Sequence, residues 1–312
     1  ILGEVDVAED GSVYFEIPAR TPVYFQPIDK NGNAVTTMRS WTAMQPNEFY
    51  SCLGCHGDRD TPNPIKLRIA KGRKPEKLKP FYDIKGGFSF QKHVQPILDK
   101  HCVSCHNDRS VARILTEDGK EKKSVEFFAK TEGKKWLDLE AENQKKSVRA
   151  FSLLNYPIEN KRAKRIFNDA YYNLLQPQME RGEPTFADFK NPLVNWPGMQ
   201  SIPTLLPPYY RGAAKSELLA MLKRGHGKTK ITREELDKLA AWIDLYVPYC
   251  GDYYEANTWN ENDMKYYKYY ENKGKSNEEA EAEAIEKYLK GAKEKSARRE
   301  SSKKARFASA KN

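Results

Sequence analysis

The sequence predicts an α+β protein: a small N-terminal β-sheet unit, then a mainly α domain with long loops, and a helical C-terminal tail. Three observations carry this. The first fifty residues alternate β-branched and aromatic residues between turn signals. Two later segments have apolar residues at helical spacing, with caps at their ends. The last fifty residues are charged and contain neither proline nor a long loop signal.

In the N-terminal unit, Gly11-Ser12 is a turn and Val13–Ile17 reads as a strand. Thr21–Ile28 reads as another, with Pro27 placing it at an edge. Asn31-Gly32-Asn33 is a hairpin turn, and 34–38 the returning strand. Pro62–Pro80 is a connector rich in Pro and Lys. After Gly86-Gly87, Pro96 opens a short helix, Gln95–Lys100. Residues 116–150 are a charged insertion with little core potential. Residues 151–215 are rich in Pro, Asn and aromatics and predict long loops with one helix near 161–175. Ser216 caps a helix to Arg224, closed by Gly225. Thr232-Arg-Glu-Glu235 is a capping box for a helix that buries Leu236, Leu239, Ala240, Ile243 and Val247, and Pro248 stops it. Trp242 reads as a core aromatic. The tail is helical from Asn260, with Asn277 capping a second helix whose stripe is Ala280, Ala284, Ile285, Tyr288 and Leu289. The expected divisions are 1–84, 85–254 and 255–312.

Charge and hydropathy narrow the classes. The chain of 312 residues carries net charge +10, of which +8 lies in 287–312, so the basic character belongs to the tail and not the body. A nucleic-acid binder needs a basic face on a folded module, and none is visible. No run of 18 apolar residues exists, so no membrane span is expected. The chain opens at Ile1 without a secretory leader, which reads as a processed protein or a piece of a longer one.

Four of the five cysteines form two copies of one pattern: Cys52-Leu-Gly-Cys55-His56 and Cys102-Val-Ser-Cys105-His106. Cys-x-x-Cys-His is the attachment signature of c-type haem. Two thiols add across the haem vinyl groups and the adjacent histidine supplies an axial nitrogen to the iron. The motifs therefore predict two covalently attached c-type haems. A four-cysteine zinc site would leave both trailing histidines unexplained and needs 46 residues between its halves. Thioether attachment places the chain in an extracytoplasmic compartment, and Cys250 is left over as a small buried residue.

Five histidines exist. His56 and His106 are the proximal ligands. His226, just beyond the end of the 216–224 helix, is the candidate distal ligand of the second haem. His93 is a candidate for the first haem, against an equal structural role. His101 abuts Cys102 and is expected to hydrogen-bond a propionate or the backbone. Met44 and Met199 read as core residues before weak ligands. No catalytic residue is assigned.

Further strings resemble a known family: Asp10–Pro18, Met38–Trp41, Asn191–Trp196, Leu206–Ser216, Gly225-His226, Trp242–Asp244, Val247–Tyr253 and Glu255–Asn257. Together they resemble the hydrazine synthase alpha subunit and related planctomycete multihaem c-type cytochromes, over most of 1–270. The resemblance implies two c-type haems. The one matching Cys52, Cys55 and His56 is the family's proposed catalytic haem; the one matching Cys102, Cys105 and His106 is bis-histidine and passes electrons, which supports His226 as its second ligand. It further implies condensation of nitric oxide, ammonium and electrons to hydrazine inside a multi-subunit complex. The family's catalytic haem takes a tyrosine a few residues past its motif, whereas Gly57-Asp58-Arg59-Asp60 follows here, favouring ordinary His56 ligation. The expected function is a cytochrome c-like dihaem electron carrier working with redox partner proteins or sister subunits. The alternative is a haem-dependent catalytic subunit whose first haem meets a small nitrogen species; the sequence leaves open whether the chain is an enzyme.

Overall fold

The computed structural model describes residues 1–54, 68–84, 86–107, 111–115, 121–126, 138–140, 147–149, 152–160, 163, 165–175, 178–180, 183–185, 193–196, 207–256 and 259–309. The chain divides into two units, Ile1–Asn257 and Thr258–Asn312, so the division expected at 84/85 falls inside the first.

The first unit is α+β. Its helices are α1 (Gln95–His101), α2 (Asp169–Leu175), α3 (Glu217–Arg224) and α4 (Arg233–Asp244). Its strands are β1 (Val111–Leu115), β2 (Glu121–Glu126), β3 (Asp138–Glu140), β4 (Ser147–Arg149), β5 (Pro157–Asn160), β6 (Arg165–Asn168), β7 (Gln178–Glu180) and β8 (Glu183–Thr185). They pair as four antiparallel two-stranded ladders in chain order.

Residues 1–84 differ from expectation. The described part forms no continuous strand there but meets one bridge at a time: Glu4 with Lys79, Phe15 with Glu76, Val23 with Thr42, and Ile28 with Ala34. Pro18, Pro22 and Pro27 each lack the N–H that a ladder requires, which interrupts the pairing. The hairpin over 23–42 survives. Val23 and Thr42 exchange backbone bonds of 2.8 and 2.9 Å, and Asp29 N–H donates to the Asn33 carbonyl at 2.9 Å. Gly32 sits at φ +80° in the turn, and its lack of a Cβ also admits Asp237, whose Oδ1 would lie 2.2 Å from one.

A second difference is the helix expected near 161–175. Residues 165–168 are strand β6, and the helix begins only at Asp169. Phe167 and Asn168 turn into the core from an extended segment. Asn168 Nδ2 donates to Gln95 Oε1 at 2.7 Å and its Oδ1 accepts the Tyr171 N–H at 2.9 Å, starting α2 at that point.

The core joins the four helices. Phe90, Val94 and Leu98 from the α1 region, Tyr172, Leu174 and Leu175 of α2, Leu219 of α3, and Leu239, Trp242 and Ile243 of α4 are all nearly inaccessible. Trp242 is a core residue: its Nε1 donates to the Pro248 carbonyl at 3.2 Å and its ring packs on Phe90 with centroids 5.2 Å apart. α4 ends at Asp244, ahead of Pro248, with Tyr246 and Val247 both at positive φ (66° and 48°). For a β-branched residue that is a strained conformation. The Tyr171 hydroxyl holds it by donating to the Val247 carbonyl at 2.7 Å.

The second unit is one helix, α5 (Glu261–Ser309), 49 residues long, and not two. Asn260 caps it: its Oδ1 accepts the Asp263 N–H at 2.9 Å. Asn277 lies in its interior. No helix among the described residues is long and apolar enough to cross a membrane.

Candidate haem centre

The second motif stands on α1. Gln95 at its start is buried, donating to Asp99 at 2.8 Å and to the Leu153 carbonyl at 3.1 Å. Cys102 caps the C-terminus of α1, its N–H donating to the Leu98 carbonyl at 2.8 Å. The chain then continues in one turn: Cys105 and His106 N–H both donate to the Cys102 carbonyl, at 3.1 and 2.8 Å. This turn gathers both thiols and the imidazole within five residues. Cys102 and Cys105 are free thiols. Burial, then the neighbouring Cys105, pushes the Cys102 thiol up to about 11.

His226 comes from the connection between α3 and α4. It lies between Gly225 (φ 93°) and Gly227 (φ 58°), two left-handed positions that turn the chain sharply on either side of it. Thr229 fixes the turn, its hydroxyl donating to the His226 carbonyl at 2.6 Å. The result brings two imidazoles together: the rings of His106 and His226 have centroids 6.0 Å apart and planes 14° from parallel.

These residues fit a bis-histidine haem. Metal–imidazole bonds run about 2.0–2.1 Å and a ring centre lies about 1 Å beyond its nitrogen, so two imidazoles on opposite sides of one iron have centroids about 6 Å apart. Imidazoles also stack without a metal at such spacings. The two free thiols in the turn that carries His106 are what a plain ring contact does not need. Half-buried apolar side chains belong to the same segments: Val103 of the motif, Met221 and Leu222 of α3, and Ile231 and Leu236 flanking the start of α4. No three His, Cys, Asp or Glu side chains among the described residues gather as a metal cluster of the zinc type.

His101 meets a partner on α4. Its Nε2 faces the carboxylate of Glu235, the N3 residue of the α4 capping box. That contact has no local sequence signal. His93 is half-buried, its Nδ1 accepting the Ser89 N–H at 3.0 Å and its ring 4.8 Å from that of Phe88; burial lowers its pKa. Of the first motif, Cys52 is described, as an exposed free thiol. Cys55 and His56 lie outside the described residues. Cys250 is partly buried, its thiol 3.4 Å from the Glu255 carbonyl.

Asp244 ties the hairpin to the helices. Its Oδ2 accepts the Ala34 N–H and its Oδ1 the Ala213 N–H, both at 2.8 Å. Burial pushes its carboxyl up to about 6, against those two bonds, which lower it. Gly212 at φ +99° permits the approach, since a Cβ there would lie 2.2 Å from Asp244 Oδ1.

The fold and the paired histidines thus define an α+β chain with a Cys-x-x-Cys-His turn facing a histidine from a neighbouring helix connection. In comparison with known proteins, residues 1–57 match the hydrazine synthase alpha subunit middle domain, and over that stretch the chain is similar to that family. The match runs through the first motif to one residue past His56. No curated protein and no solved structure matches the chain.

Proposed function

We propose that this chain is a c-type cytochrome with two covalently attached haems, one on each Cys-x-x-Cys-His motif, that passes electrons within a larger assembly outside the cytoplasm. The single observation that supports it most is the pairing of His106 with His226 beside two free thiols. When bound, haem supplies a one-electron iron couple whose potential follows from its ligands and burial. The chain's own residues do the holding. Cys102 and Cys105 would tether the group, and His106 and His226 would hold its iron. Gly225, Gly227 and Thr229 orient His226.

The test is His226→Ala in the purified chain. One haem is expected to lose its low-spin bis-imidazole spectrum and rise in potential, with the other unaffected. Two unchanged low-spin haems would remove the assignment.

A second reading is favoured by the family match over 1–57, which takes in the first motif. The first haem would keep an open position and serve the reductive joining of nitric oxide and ammonium to hydrazine and water, with three electrons delivered by redox partner proteins and sister subunits supplying the rest of the site. Carbon monoxide binding at one iron of the reduced chain supports it. Two six-coordinate irons that bind no carbon monoxide would rule it out.

A further inference from the structure

The second unit invites a partner through its charge pattern. α5 spans about 74 Å at 1.5 Å per residue. Every residue from 271 to 300 except Gly291 is exposed, including Ile285, Tyr288 and Leu289 at 41%, 75% and 53%. Charges along it are segregated. Residues 261–286 hold eight acids and four bases, whereas 287–309 hold nine bases and two acids. Within each block, like charges fall at helical spacing: Glu279/Glu283 on one side, Lys295/Arg299 and Arg299/Lys303 on the other. Each such i,i+4 pair opposes the helix by a few tenths of a kcal/mol. Acids at its start and bases at its end suit the dipole of the lone helix, and Glu271 pairs with Lys275, but the repulsion within each block remains, and a partner with the reverse pattern relieves it.

A second copy of α5 running antiparallel is such a partner. We infer that α5 is a self-association element that pairs antiparallel with α5 of a second chain, with the two-fold axis beside Tyr288. In that register the acidic block of one copy lies along the basic block of the other, and Glu281, on the side of α5 that carries Ile285 and Tyr288 at 3.6 residues per turn, comes level with Lys295 of the other copy. Each contact occurs twice by symmetry. The exposed Ile285, Tyr288 and Leu289 fall at the axis, where each copy covers the other's apolar patch. Attraction between blocks of opposite charge on exposed faces is strongly screened by salt.

Sedimentation velocity of the full chain tests this. Twice the protomer mass is expected at low salt, with association weakened on the order of tenfold or more between 0.05 and 0.5 M salt. Two triple variants carry the decisive arm: K290E/K293E/R298E brings 287–309 to six bases and five acids, so that only the acidic block keeps a strong charge, and E278K/E283K/E286K brings 261–286 to seven bases and five acids, so that both blocks are net basic. Each alone is expected to be monomeric while keeping its helical circular dichroism, and an equimolar mixture is expected to form a heterodimer. A monomer at every salt concentration overturns the inference. So does a dimer that survives in either variant alone, or two variants that fail to pair when mixed.

Discussion

His101 Nε2 lies 3.1 Å from each carboxylate oxygen of Glu235, a residue 134 positions further along the chain. Both side chains are largely buried, at 9% and 14% exposure. The contact joins the residue just before Cys102 to the first turn of α4, on the far side of the connection that carries His226. Lys100 adds a second bond to Glu235 at 2.8 Å. The carboxylate also caps α4, accepting the Thr232 N–H at 2.8 Å. Glu235 thereby ties the Cys102–His106 turn to the connection that carries His226.

Removing that carboxylate is expected to weaken the fold. Glu235→Ala deletes half of the capping box and both cross-links, a loss of about 1–2 kcal/mol. Chemical denaturation against the parent chain measures it. Burial raises the Glu235 pKa, but the bonds from Lys100, Thr232 and His101 outweigh it and bring it down to about 2. A lowered carboxyl pKa stabilises the folded chain fully above the ordinary value of 4.5, and the contribution disappears as pH falls through about 2. The difference between the parent and Glu235→Gln is therefore expected to shrink across that window.

Asp244 has the opposite sign. A buried carboxyl whose pKa is raised to about 6 favours folding through its protonated form. Its contribution is complete below the ordinary value of 3.8 and is lost as pH rises through about 6. Asp244→Asn is expected to flatten stability against pH between those limits. It also leaves one of the Ala34 and Ala213 N–H groups facing an amide donor, at a cost of about 1–3 kcal/mol. Denaturation midpoints at pH 4 and pH 7 separate the two effects.

Gly87 and Gly251 meet backbone to backbone. A Cβ on Gly87 would lie 1.5 Å from the Gly251 carbonyl oxygen, which no side-chain rotation relieves. Next to this contact the Phe90 N–H donates to the Tyr249 carbonyl at 3.1 Å, seating the start of the α1 region against the turn after α4. Gly87→Ala is expected to cost about 3 kcal/mol or more. Gly72→Ala, where a Cβ meets nothing within 4 Å, serves as the control in thermal unfolding.

What the sequence made legible was local. Pro96, the Thr232–Glu235 box, Ser216 and Gly225 each signal a helix end through a few neighbouring residues, and α1, α3 and α4 lie where those signals put them. Even there, tertiary contacts altered a detail. Ser216 sits at the N-cap position, but its hydroxyl donates to the Gly212 carbonyl and accepts the Asn195 N–H, not one from α3. The errors came where strand pairing or the continuity of a helix decides. Arg165–Asn168 is a strand because Pro157–Asn160 pairs with it. Asn277 caps nothing because α5 continues through it. The histidines were legible as candidates from motif and spacing. That His101 would meet Glu235 was not, since nothing near either residue encodes a contact 134 positions away.

The most direct measurement is the intact mass of the purified chain under denaturing conditions, read with its visible spectrum. The expected result is a coloured protein heavier than its polypeptide by two haems, with one haem lost when Cys102 and Cys105 are both replaced by Ala. A colourless chain whose mass is that of its amino acids alone would contradict the assignment of both motifs.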